Sequence, residues 1–248
     1  MIVRKSPTEI EIMREAGRIT AEALRVVGEA VGVGVTTAEL DRVAENVIRS
    51  AGAAPAFKGY HGFPASICAS LNNEVVHGIP GARKLHTGDI LSVDIGAIID
   101  GYYGDSAMTF PVGEVSEEAK RLLDVTRASL EAGIAKCIEG MRLHDIGHAV
   151  QTVAERAGFS VVREYVGHGI GREMHEEPNV PNFGQAGTGP ALKRGMVLAI
   201  EPMINAGGAA VVSLADGWTV VTRDGSLSAH FEHTVVIMEN GPEILTLE

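Results

Sequence analysis

Two apolar periods alternate along the chain. Ser6-Pro7-Thr8-Glu9 has the form of a capping box with proline at the first helical position, and Ile10, Met13, Gly17, Leu24 and Val27 follow one helical face after it. This predicts a first helix to about Ala30. Thr36 and Glu39 repeat the capping box, Leu40, Val43, Val47 and Ile48 supply a buried stripe, and Gly52 follows the expected end of a second helix. The period then shortens. Ser66 to Leu71 and Glu74 to His77 read as strands joined at Asn72-Asn73, residues that tolerate the positive φ of a tight turn. Gly88 to Asp105, G-D-I-L-S-V-D-I-G-A-I-I-D-G-Y-Y-G-D, reads as a buried hairpin turning at Asp100-Gly101.

After Pro111-Val112-Gly113 the pattern starts again. Ser116 is a cap with Glu117 and Glu118 in the first turn, which predicts a helix to about Glu139, and Leu143, Ile146, Val150 and Val153 stripe another helix that ends near Gly158. Strand-forming runs follow at Val197 to Ile200, Thr219 to Thr222 and Thr234 to Met238. The order helix, helix, strands thus occurs twice, and residues register between the two passes. Gly34-Val35 and Leu40 match Gly140-Met141 and Ile146, Ala51-Gly52 matches Ala157-Gly158, His61-Gly62 matches His168-Gly169, and G-D-I-L-S-V-D ending at Asp94 matches G-M-V-L-A-I-E ending at Glu201. D-S-A-M-T-F at Asp105 also resembles E-H-T-V-V-I at Glu232. A shared offset of about 106 to 107 residues points to a duplicated half, and two such halves would pack about a pseudo-twofold axis.

The 248 residues, 45% apolar, are enough for one large core built from two fused halves, roughly 6–113 and 114–248. The formal charge of -11 and the lack of clustered Lys and Arg exclude nucleic acid as the main ligand. Cys68 and Cys137 lie far apart, so a reducing compartment fits better than a disulfide framework. The N-terminus lacks an apolar signal core, and no run approaches the roughly 20 apolar residues of a membrane span. These features describe a cytoplasmic protein that does not bind membranes.

The hairpin changes the picture from fold to chemistry. Any pairing centred near Ile99 to Gly101 puts Asp94 and Asp105 on one face, opposite or diagonal, where like charges are unfavourable unless one is protonated or a cation lies between them. Most acids on strands are solvated, but Val93 and Ile95 beside Asp94, and Ile200, Pro202 and Met203 beside Glu201, describe strands covered on both faces. If the halves face one another, Glu201 and Glu232 join Asp94 and Asp105. Four carboxylates with one imidazole suit a pair of divalent cations, and a water bridging them would lose a proton readily. The imidazole candidate is His168, in the glycine-rich stretch G-H-G-I-G-R-E-M-H-E-E-P-N-V, with His175 as a donor at its end.

That stretch and the five candidate ligands resemble the methionine aminopeptidases of the type I, bacterial form, over nearly the whole chain. The resemblance implies an α/β (α+β) pita-bread fold, in which two pseudo-twofold-related halves share a curved antiparallel sheet covered by helices. It implies that Asp105 and Glu232 bridge two metal ions, that Asp94 chelates one, and that His168 and Glu201 hold the other. His77 would contact the scissile amide nitrogen, His175 would bind the substrate carbonyl, and Glu201 would carry the proton from water to the leaving amine. Tyr60, Phe63, Cys68, His77 and Trp218, with Met174 beside them, would line the methionine pocket. Phe63 is often Tyr and Met174 often Phe in the family, changes that keep an apolar wall. Taken alone, Tyr60, Phe63 and Trp218 read equally as core, although Trp218 in A-D-G-W-T sits where a turn enters a strand. Cys68 reads as a small buried hydrophobe, and His144 and His148 as surface residues.

The activity implied is removal of the initiator methionine from nascent polypeptides whose second residue is small, by a monomer working near the ribosome exit. The alternatives are an X-Pro aminopeptidase or prolidase of the same fold, and a non-catalytic relative. The segment between His175 and Glu201 is too short for the helical insertion of the type II branch, and no zinc-binding extension precedes the first helix. An oxygen-rich site with one His accepts cobalt, manganese, iron or zinc.

Overall fold

In the computed structural model, which describes residues 1–247, the two helical pairs are α1 (Pro7–Ala30) with α2 (Thr37–Ser50), and α3 (Glu117–Ile134) with α4 (Leu143–Arg156). Both expected capping boxes form: the Ser6 and Thr36 backbone N–H groups donate to Glu9 and Glu39 at 2.8 and 2.7 Å, and the two caps accept in return. The helix after Ser116 ends earlier than its composition predicts. Beyond Ile134 the N–H of Cys137 donates back to the Ile134 carbonyl at 2.9 Å, Cys137 is fully buried, and Gly140 takes φ +91°. The chain must reverse there to lay α4 against α3, and that tertiary demand overrides the helix-forming residues before Glu139. No helix among the described residues is long and apolar enough to cross a membrane.

The main sheet is curled and antiparallel, with nine strands among the described residues. Its path runs Ala54–Pro55, Ile90–Ile99, Tyr102–Pro111, Glu232–Met238, Val197–Ile200, Gly167–Gly169, Glu176–Val180; Ile67–Leu71 also pairs with Ile90–Ile99, and Gly241–Ile244 with Glu232–Met238. Alternation assigns the faces. Leu91, Val93, Ile95 and Ala97 pack with the apolar stripes of α1 and α2, while Leu198, Ile200, Val235 and Ile237 pack with those of α3 and α4. The opposite face is left to Asp94 and its partners. At the central seam Ser106 pairs with His233, so each half contributes one hairpin on either side of that point.

The pseudo-symmetry is less regular than the sequence match. Counting outward from the seam, Gly96 lies opposite Asp105, and two residues on, Asp94 pairs with Cys68. In the second half, Ile200 pairs with His233, so the same register carried one residue further sets Glu201 opposite Glu232, and two residues on, Ala199 pairs with His168. By register the counterpart of His168 is therefore Cys68, not His61, which sits in a short helical turn at φ 47°. The shift between Asp94 and Glu201 is two residues and keeps both acids on one face. Between Glu201 and Glu232 the second half also spends the segment 203–230, where the first half has only its Asp100–Gly101 turn. That segment makes two small sheets, one of which pairs Val220–Thr222 with Glu74–Val76 of the first half and so brings Trp218 toward His77.

Candidate active site

Asp94 and Asp105 share a face because the turn between them is as tight as a hairpin allows. Asp100 at φ 49° and Gly101 at φ 77° give a two-residue connection with both residues left-handed, the geometry that matches strand twist. Asp94 then lies opposite Ala107 and diagonal to Asp105. Glu232 enters across the seam opposite Ala107, and Glu201 stands where its strand has just ended. Asp105 and Glu232 are 3% and 2% exposed, and Asp94 and Glu201 are partly open to the pocket.

Four carboxylates in so little space oppose each other's ionisation. Burial raises Asp94 to about 7 and Glu201 to about 8. Burial, with the charges of Asp94 and Glu201 added, lifts Asp105 well above the carboxylate range, and burial with Asp105 and Glu201 does the same to Glu232. One oxygen on each of Asp94, Asp105 and Glu232 is buried without a hydrogen-bond partner. Orphaned acceptors are costly in a folded chain, and three of them on the walls of one cavity could be satisfied by a cation.

His168 completes one side of it. Its Nδ1 lies 2.9 Å from the Gly169 carbonyl, which can only accept, so the proton sits on Nδ1 and the Nε2 lone pair is free. That Nε2 is 3.5 Å from Glu201 Oε1 and 3.8 Å from Asp105 Oδ2. Burial, aided by His175, lowers the ring to about 3, which keeps it neutral and able to ligate. Atoms of Asp105, His168 and Glu232, and of Glu201, His230 and Glu232, lie within 4.8 Å of one another in two groups that could each hold a metal ion.

A cavity of ≈ 240 Å³ opens onto this cluster, and Tyr60, Phe63, Cys68, His77, Asp94, Asp105, His168, Met174, His175, Glu201, Trp218 and Glu232 all line it. Every residue singled out from sequence is therefore in one place. The apolar end is walled by Phe63, Cys68 and Met174, each under 6% exposed, with Trp218 edge-on to Phe63 at 5.1 Å. Burial raises the Cys68 thiol well above its ordinary value, as do Asp94 and Asp105, so the buried side chain stays a neutral thiol in the cavity wall. His77, in the left-handed region at φ 61°, is held between Tyr165 and Trp218 and lowered by burial to about 4. The Tyr60 hydroxyl meets His175 Nδ1 at 2.8 Å. His144 and His148 lie away from the cavity, on α4.

Three residues at the site were not singled out by sequence. Phe57 and His61 also line the cavity. Phe57 carries no local signal, since its place depends on Gly96, whose missing side chain leaves room for the ring. His230 lies beside the acids, and the signal existed: in S-A-H-F-E it stands two residues before Glu232, the spacing that returns a side chain to the same face of an extended chain.

Comparison with known proteins bears on this geometry. The model of metallopeptidase family M24 matches residues 11–239. A methionine aminopeptidase of Clostridium acetobutylicum is 58% identical over 248 residues, covering 100% of this chain and 99% of that protein. Methionine aminopeptidase 1 of Bacillus subtilis is 56% identical over 246 residues, covering 99% of each. The crystal structure of methionine aminopeptidase from Rickettsia prowazekii superposes with a TM-score of 0.98 at 46% identity, over 100% of both chains.

Proposed function

The chain belongs to metallopeptidase family M24 and is a hydrolase, and from that membership we propose that the cavity is the active centre of a metal-dependent aminopeptidase that removes N-terminal methionine. The observation that carries this reading is the convergence of Asp105, Glu201 and Glu232 on the free Nε2 of His168, with Asp94 lining the same cavity and an apolar wall of side-chain size beside them. The X-Pro and non-catalytic alternatives have less support, since full-length similarity runs to methionine aminopeptidases and the whole ligand set is present. In this reading the chain is one catalytic domain with halves at roughly 6–113 and 114–248.

The donors fit divalent ions: Asp94, Asp105 and Glu232 would hold one, and His168 and Glu201 with Asp105 and Glu232 would hold a second. When bound, such ions supply Lewis-acid charge and lower the pKa of water. The remaining work belongs to side chains. The apolar walls Phe63, Cys68, Met174 and Trp218 take the methionine side chain. Glu201, with its oxygens at the edge of the cluster, accepts a proton from water and delivers it to the departing amine, and His77 orients the scissile amide nitrogen. His175 donates from Nε2 to the substrate carbonyl as charge develops on it, in the tautomer in which Nδ1 accepts from the Tyr60 hydroxyl 2.8 Å away. The substrates are N-termini of nascent chains with a small second residue, met by a cytoplasmic monomer near the ribosome.

The test is hydrolysis of Met-Ala-Ser by purified protein given cobalt, manganese, iron(II) or zinc. Methionine release with at least one metal is expected. No release with any of them, or cleavage confined to peptides with proline second, would overturn the proposal.

A further inference from the structure

His230 is a buried imidazole of the cluster, outside the expected ligand set, with its Nε2 near two acids. It is 1% exposed, and Nε2 has no hydrogen-bond partner. Its backbone cannot move freely. The His230 N–H donates to Thr109 Oγ1 at 2.9 Å, the Thr109 hydroxyl donates to the His230 carbonyl at 2.8 Å, and Ser92 Oγ lies 2.8 Å from Thr109 Oγ1. Ser92 and Thr109 belong to the strands that carry Asp94 and Asp105, so the first half of the fold positions this histidine of the second. Pairing of His230 with Met203 holds it from the other side.

The distances are informative. His230 Nε2 is 3.6 Å from Glu201 Oε2 and 4.0 Å from Glu232 Oε2. These are too long for hydrogen bonds. They match the 3.5 and 3.8 Å that separate His168 Nε2 from Glu201 Oε1 and Asp105 Oδ2. Donors each ~2.0–2.2 Å from a common ion lie roughly 3–4 Å apart, so both sets have the spacing of atoms that share a cation. Glu201 thus stands between two imidazoles, with one oxygen turned to each.

We propose that His230 is a metal-ligating residue, whose Nε2 joins Glu201 Oε2 and Glu232 Oε2 in holding a divalent cation on the side of Glu201 away from His168. The inference rests on the reading of this pocket as a metal centre. It adds a second nitrogen donor to an otherwise oxygen-rich site, which shifts preference toward cobalt, nickel or zinc and away from manganese.

Proton NMR of the cobalt(II)-loaded protein tests it through ring N–H resonances displaced by the paramagnetic ion, one for each coordinated imidazole. Two are expected, from His168 and His230, and both should persist in His77→Ala and His175→Ala. His230→Gln should remove one and weaken binding of one cobalt ion at least about tenfold. A single displaced resonance in the unmodified protein would overturn the role of His230 while leaving the metal centre intact. Absence of bound cobalt would overturn the metal reading itself. Because the count is taken on the unmodified protein, a variant that fails to fold does not shield the proposal.

Discussion

In the proposed mechanism the two ring nitrogens of His175 have different tasks, and Tyr60 distinguishes them. There the Tyr60 phenol, 2.8 Å from Nδ1, donates its O–H to that nitrogen, so the other nitrogen carries the proton that a carbonyl oxygen can accept. Removing the ring by His175→Ala deletes that donor, and kcat is expected to fall about 10²–10³-fold. Tyr60→Phe keeps the ring and its tilted stacking but frees the tautomer, so steady-state kinetics should show a smaller loss, about tenfold, mainly in kcat. Equal losses in the two variants would mean that Tyr60 shapes the pocket and does not orient His175. Glu201→Gln, which retains shape and one oxygen but cannot take a proton, should reduce turnover by about 10²–10⁴. The four acids and the imidazole of His168 were legible as candidates in sequence because each sits in an apolar run or a glycine-rich stretch where a charge has no ordinary reason to be. His230 carries a weaker signal, only its two-residue spacing to Glu232, since a short strand ends at it and Phe231 interrupts the pattern.

Among the elements, α1 shows how a local signal is reinforced from afar. Glu9 closes the capping box and also accepts the buried Tyr102 hydroxyl at 2.7 Å, across from the hairpin turn. The Ser6 backbone N–H and then Tyr102 hold its carboxyl down to about 2. A depressed carboxylate contributes stability that is present above its unfolded value, near 4.5, and is lost as pH falls through about 2. Glu9→Gln should therefore cost about 1 kcal/mol in urea unfolding at pH 7, and the difference from the unmodified protein should shrink steadily below pH 4.5. A difference constant from pH 7 to pH 3 would show that Glu9 acts by packing alone. The capping boxes and helical stripes were readable because they are local. The contact of α1 with the sheet was not, for it depends on Gly104, where a Cβ would lie 2.7 Å from the Ala16 carbonyl carbon and 2.8 Å from the Gly17 nitrogen. Gly104→Ala meets backbone that cannot yield, and should destabilise by about 1–3 kcal/mol, seen as a lower thermal midpoint.

For the whole molecule, duplication was legible as matching residues, but register was not. The sequence match aligned His61 with His168, whereas the sheet sets Cys68 in that place, and the segment 203–230 has no counterpart in the first half. Sequence similarity tracks descent, while register depends on how each strand meets its neighbour. The consequence of the arrangement is that the acids come from both halves and meet at the seam, where burial makes them costly to ionise unless a cation lies between them. Metal should accordingly act as a staple. An ion present at one hundred times its Kd adds about 2.7 kcal/mol, and a domain of this size gains ~2–4 °C per kcal/mol, so adding a divalent metal to chelator-treated protein should raise the thermal midpoint by roughly 5–10 °C. Asp105→Asn should respond in the opposite sense. Removing a carboxyl that the metal-free fold must keep protonated, at a cost that grows as pH rises above its unfolded value, raises the midpoint in chelator at pH 8 and abolishes most of the increment on adding metal, because the same group carries that cost and is an expected metal donor. If metal stabilised Asp105→Asn as strongly as the unmodified protein, the cation would lie elsewhere, and the convergence of the two halves would have no energetic role.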